Sequence, residues 1–199
     1  MNLLNNCLEE FVYRDVTLKK RLENTKVDIS KLTLTELELK LFYIYTGIDY
    51  DWINSDLKIY GNNHNECKEA VKKIINCGLS KINPYNNKTV YRKETFNNLE
   101  DTKRVFKENK GNIIKRNAFF STSKEKKNWN NTLIIKIQTN NQSNARDLKE
   151  VNINSPEREV LFKTNTHFKI INTSNNLVEL KEIKKAEGKI IKWKDLHSY

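Results

Sequence analysis

The sequence predicts an α+β fold, and three observations predict it. Apolar residues recur at helical spacing in the first third. The remainder is cut into short segments rich in β-branched and aromatic residues, and Asn-rich breaks separate those segments. The chain has 199 residues, enough for one domain. Hydrophobic residues make up only 37%, but an aromatic content of 10% still supplies a core. No run approaches the ~18 consecutive apolar residues that a membrane span needs, so no membrane partner is expected. The opening MNLLNNCLEEF lacks a basic region followed by an apolar one and reaches Glu9 and Glu10 early. It does not read as a secretory signal, and the expected location is a cytoplasm, of the producer or of an invaded cell.

Each element has its own warrant. Leu8, Phe11, Val12, Val16, Leu18 and Leu22 fall near helical spacing and predict a helix over Leu8–Leu22. Thr33 or Thr35 caps a second helix, Glu36–Tyr45, with Leu37, Leu41, Ile44 and Tyr45 on one face and Gly47 as its stop. Asp51–Ile59 reads as a short helix, and Glu66–Ile75 as another that ends at Gly78. Asn83-Pro84-Tyr85-Asn86-Asn87 is turn chemistry. Strands are expected at Thr89–Arg92, Ala118–Ser123, Leu133–Thr139, Glu157–Lys163, His167–Thr173 and Leu177–Lys184. Asn175-Asn176 joins the last two as a hairpin turn. Phe96–Lys107 is a helix or an ordered loop, and the basic tail is a last strand or a loose end. The expected organisation is one domain, with a helical front over 1–82, a β-rich core over 88–184 and a basic tail over 185–199.

Charge is unevenly placed. Residues 1–60 hold 8 basic and 10 acidic side chains, whereas residues 61–199 hold 28 basic and 15 acidic ones. The densest cluster is Lys103–Lys127, with nine basic residues against Glu108 and Glu125. Such a field attracts a nucleic acid or an acidic protein face, but a solvated Lys surface has the same composition, and no nucleic-acid-binding motif accompanies it. Cys7, Cys67 and Cys77 cannot all pair within one chain. No CxxC and no HxxxH exists, so no metal site is expected.

Three polar motifs follow on successive strands. Val90-Tyr91-Arg92 puts a guanidinium on a strand otherwise suited to burial, and such an Arg requires an anionic partner, either a carboxylate or a phosphate. In Phe119-Phe120-Ser121-Thr122-Ser123 an apolar start runs into three hydroxyls. Glu157-Arg158-Glu159 leads into Val160-Leu161-Phe162; on a strand, residues i and i+2 share a face, so both acids are expected to point into one space. Taken singly, each motif also fits a purely structural role.

Arg, then Ser-Thr-Ser, then Glu-x-Glu in this order resembles the mono-ADP-ribosyltransferase family in its arginine–serine–glutamate class. Tyr45-Thr46-Gly47, Tyr50, Ile53-Asn54 and Leu57 resemble the helical front of that family. Phe119–Ser123, Leu133–Ile137, Glu157–Phe162 and Phe168–Ile170 are similar in order and spacing to the enzymatic components of clostridial binary toxins. The resemblance spans roughly residues 33–184. It implies two packed, mostly antiparallel β-sheets forming an NAD cleft, with NAD as co-substrate and no metal. It implies that Arg92, with Tyr91 beside it, faces the NAD phosphates, and that Ser121 orients the catalytic Glu159 while Thr122 and Ser123 brace the cleft. Glu157 would then orient and deprotonate the acceptor, and Trp129 is the candidate aromatic for the nicotinamide. Glu rather than Gln at 157 points to a protein with an exposed arginine as acceptor; transfer to nucleic acid, NAD glycohydrolysis and a non-catalytic basic binding module are the alternatives, in that order. An immunity partner is compatible with a toxin and is not identified. Lys93 stands where the family often has Gly after the strand Arg, and Val151–Pro156 lacks the target-contacting aromatic of some toxins.

Overall fold

The computed structural model describes residues 33–46, 53–54, 62–94, 98–126, 132–151 and 158–192. The chain divides into two compact units. One comprises residues 1–82 with 150–154, and the other residues 83–149 with 155–199. The helix expected over Leu8–Leu22 and nearly all of the one over Asp51–Ile59 lie outside the described residues.

In the first unit, α1 runs Glu36–Thr46 and α2 runs Asn62–Lys81. Thr35 starts α1 as a reciprocal cap: the Glu38 amide donates to Thr35 Oγ1 at 3.2 Å, and the Thr35 amide donates to Glu38 Oε2 at 2.7 Å. The same Glu38 oxygen accepts from Lys81 Nζ at 2.7 Å, joining the start of α1 to the end of α2. Burial pushes the Glu38 carboxyl up, but the Lys81 and Thr35 donors outweigh it and hold its pKa below the ordinary value. Gly78 does not end α2, which continues to Lys81. A Cβ at position 78 would stand 3.0 Å from the Phe42 ring, so this glycine serves the close approach of α1, not a helix stop.

The second unit is built on β1 (Thr89–Glu94), α3 (Leu99–Glu108), β2 (Ile113–Arg116), β3 (Phe120–Ser123), β4 (Leu133–Gln138), β5 (Ala145–Asp147), β6 (Glu159–Phe162), β7 (Thr166–Ser174), β8 (Leu177–Ile183) and β9 (Ile190–Lys192). The strands form a continuous ladder in the order β5-β6-β3-β1-β4-β8-β7-β2-β9. All pairs are antiparallel except β4–β8 and β2–β9. Asn175, at φ +47°, makes the β7–β8 turn that the Asn-Asn pair predicts. The tail resolves in favour of a strand, since β9 pairs with β2.

The ladder is folded on itself. Phe162 of β6 and Phe168 of β7 lie five strands apart in the order, which is about 24 Å in a flat sheet. Their ring centroids are 5.2 Å apart, and Phe120 of β3 is 5.8 Å from Phe168. Only a sheet doubled over into two layers brings these rings together. The seam is β1–β3: β1 pairs with β4 along six residues but with β3 only at Tyr91 and Ser123. The core between the layers holds Val90, Phe120, Ile135, Val160, Phe162, Phe168, Ile170, Val178 and Leu180, all buried. α3 adds Val105 and Phe106 to this core. Its N-terminus is capped by Asn98, whose Oδ1 accepts from the Asp101 amide at 3.1 Å.

Candidate functional site

The three motifs fall on β1, β3 and β6, which are neighbours in the ladder. Glu159 is the first residue of β6, is buried at 7% exposure, and stands directly opposite Ser123. Ser123 in turn stands opposite Tyr91. Cross-strand partners share a pleat face, so Glu159, Ser123 and Tyr91 form one row over three strands. Ser121 lies on the same face of β3, two residues along and opposite Leu161. Thr122 points the other way, into the core, and its hydroxyl donates to the Val160 carbonyl at 2.7 Å, tying β3 to β6 next to Glu159.

Arg92 sits one residue from Tyr91 and so on the opposite face of β1. Its Nε donates to Glu94 Oε1 at 2.6 Å and its Nη1 to the Ser121 carbonyl at 2.8 Å. The guanidinium lies 5.2 Å from the Phe120 ring centre, and that of Arg116 lies 5.1 Å from the same ring. The anion that this half-buried Arg requires is therefore Glu94, itself 8% exposed. The sequence reading missed Glu94, although the i, i+2 strand rule applied to the Glu pair also places Glu94 beside Arg92. The Arg92 side chain keeps 27% exposure, and Nη2 makes no hydrogen bond among the described residues, so it retains donors for an outside anion.

The expectation that Glu157 and Glu159 share a face rests on a residue that is not described; of that segment, Arg158 has φ +48°, in the left-handed region, and β6 begins at Glu159. Glu157 itself lies outside the described residues, as does Trp129. The turn at Arg158 is anchored to the loop after β3. The Lys124 amide donates to the Arg158 carbonyl at 3.3 Å, and the Arg158 side chain pairs with Glu125. The Glu125 amide donates to Ser123 Oγ at 3.2 Å, and Lys124 pairs with Asp147 of β5. Among the described residues, no group of three His, Cys, Asp or Glu side chains is placed to hold a metal ion.

A mixed α+β fold with one large, mostly antiparallel sheet and few helices matches the ADP-ribosyltransferase toxin fold class. The family model for the ADP-ribosyltransferase exoenzymes matches residues 19–196, and the chain belongs to that family. Solved structures agree on the fold. Plx2a, an ADP-ribosyltransferase toxin from Paenibacillus larvae, superposes with a TM-score of 0.64 at 21% identity, covering 84% of this chain and 96% of that one. BECa, an ADP-ribosylating toxin of a C. perfringens binary enterotoxin solved with NADH, gives 0.60 at 23% identity, over 76% of this chain and 44% of that one. The ADP-ribosyltransferase Vis, solved in complex with agmatine, gives 0.57 at 17% identity, over 84% and 85%. No curated protein matches the sequence.

Proposed function

We propose that this protein is an NAD-dependent mono-ADP-ribosyltransferase toxin or effector whose acceptor is an arginine on a protein, and that its two units act as one catalytic module. The observation that carries the reading is the burial of Glu159 in register with Ser123, two strands from Tyr91, with Arg92 bound to the backbone of Ser121. BECa's complex with NADH supports the dinucleotide as ligand, and the agmatine bound to Vis, itself a guanidine, supports a guanidinium acceptor.

In this reading Arg92 presents its outward donors to the NAD phosphates while Glu94 fixes its plane. Glu159 holds the nicotinamide ribose. As the bond between the ribose carbon and the nicotinamide nitrogen breaks, the electron pair leaves with nicotinamide, and positive charge develops at that carbon. A fixed carboxylate stabilises that charge more in the transition state than in the ground state. An arginine nitrogen then bonds to the carbon, and Glu157 accepts the proton that it sheds. Ser121 and Ser123 orient Glu159, and Trp129 covers the nicotinamide.

The test is incubation of the purified chain with labelled NAD and cell lysate, with and without nuclease. Glu159→Gln is expected to abolish both transfer and nicotinamide release while NAD still binds. Glu157→Gln is expected to retain nicotinamide release and to lose transfer to arginine. Nuclease-sensitive label would move the acceptor to nucleic acid, and full transfer by both variants would overturn the assignment of the site.

A further inference from the structure

Part of the densest basic cluster of the sequence is compensated by acids close by in the fold. On α3, Lys103 pairs with Glu100 at 2.6 Å and Arg104 with Asp101 at 2.9 Å, and after β3 Lys124 pairs with Asp147. A surface of lysines without ionic partners among the described residues, Lys115 of that cluster included, is assembled by register on the outer face of β9, β2, β7 and β8. Ile114, Phe168, Ile170, Val178 and Leu180 point into the core from β2, β7 and β8, so their alternates Lys115, Lys169 and Lys181 face outward. Lys169 stands directly opposite Lys181, and Lys115 directly opposite His167. Like charges directly opposite each other on a sheet are unfavourable. None of these three lysines has an ionic partner among the described residues, and the neighbouring acid on this face, Glu179, is taken by Lys136 at 2.8 Å.

The same face carries the two exposed large hydrophobic side chains among the described residues, Ile171 at 41% and Ile190 at 47%. Ile190 continues the row Ile113–Lys169–Lys181 onto the edge strand. Ile171 is the extra residue of the bulge between Ile170 and Asn172, which turns it outward beside Lys169. Lysines that repel one another, interspersed with exposed aliphatic side chains on one sheet face, match a surface of diffuse negative charge over a hydrocarbon layer. The composition disfavours the alternatives. β2, β7, β8 and β9 put no Phe, Tyr or Trp on this face for bases to stack on, only the half-buried His167, and Lys is depleted at protein–protein interfaces. We propose that this face docks the protein peripherally on an anionic lipid surface, the lysines meeting the headgroups and Ile171 and Ile190 entering the interface. The absence of an apolar span bears only on crossing a bilayer, and lying on one needs no such segment. The inference is independent of the acceptor and of the catalytic assignment.

The test is flotation of the full chain with phosphatidylcholine vesicles and with vesicles containing about 30% phosphatidylserine, at low salt and at about 0.5 M salt. Binding is expected only with phosphatidylserine and is expected to be released by salt. Lys169→Ala with Lys181→Ala should weaken it about 25-fold, about fivefold for each lysine. Ile171→Ser with Ile190→Ser should weaken it as well, and an unchanged circular-dichroism spectrum and melting midpoint serve as the fold control for both pairs. Equal binding to both vesicles, binding to neither, or binding indifferent to the lysine pair would overturn the proposal. Salt-sensitive binding to an RNA oligonucleotide or to polyglutamate, with none to vesicles, would also overturn it and give the face to that polyanion.

Discussion

Arg92 shows how much of the site depends on single side chains. Its guanidinium is held from two sides, by Glu94 at Nε and by the Ser121 carbonyl at Nη1, and it rests on the Phe120 ring. Removing the carboxylate leaves the charge in place but loses the bond that sets its plane. A charged hydrogen bond of this kind contributes about 1.5–3 kcal/mol. Glu94→Ala is therefore expected to raise KM for NAD by about tenfold or more, with a smaller effect on kcat, as read by nicotinamide release at varied NAD. An unchanged KM would separate Arg92 from dinucleotide binding. The same residue shows what the sequence reveals: the demand for an anion is legible in Val90-Tyr91-Arg92, whereas its satisfaction by Glu94 two residues later depends on where both side chains turn in the folded strand.

At the scale of elements, buried polar groups fix the connections. Glu182 of β8 is 1% exposed, and its carboxylate accepts from the Asn144 amide at 2.7 Å and the Asn140 amide at 3.1 Å. One side chain thus pins both ends of the turn between β4 and β5, and β5 pairs with the strand that begins at Glu159. Glu182→Leu would leave two amides without their acceptor, at about 1–3 kcal/mol each. The expected result is a lower denaturation midpoint for Glu182→Leu, with Glu182→Gln, which keeps one acceptor oxygen, falling between it and the wild type. Equal midpoints for all three would show that water replaces the carboxylate. The elements that the periodicity missed, β2 and β5, have four and three residues. Strands this short carry too little alternation to signal themselves, and they exist because β7 and β6 offer them edges.

At the scale of the molecule, charge repulsion and burial combine at His167. Burial pushes its pKa down, and Lys115 across the ladder pushes it further. The folded state therefore prefers the neutral imidazole. Between the unfolded value near about 6.5 and the lowered folded value, the unfolded chain binds more protons, so stability falls as pH falls through that window. The unfolding midpoint is expected to drop between about pH 7.5 and pH 5.5, and to drop less in His167→Gln. Identical pH dependence in the two proteins would remove His167 as its source. The folding of the ladder at β1–β3 belongs to this scale too, since it alone puts Phe120, Phe162 and Phe168 into one cluster.

The sequence by itself determined the fold class, the order of most elements, the Asn turn and the resemblance to the ADP-ribosyltransferases, the family to which the chain belongs. These are local or ordered signals: side-chain period, turn chemistry, and residue types in fixed succession. Only the tertiary structure decided which carboxylate holds Arg92, that α2 runs through Gly78, and that Arg158 takes a left-handed conformation just before β6. It alone placed Lys169 against Lys181. Each of these depends on strand register or on the approach of a second backbone, and both are set by residues distant in the chain.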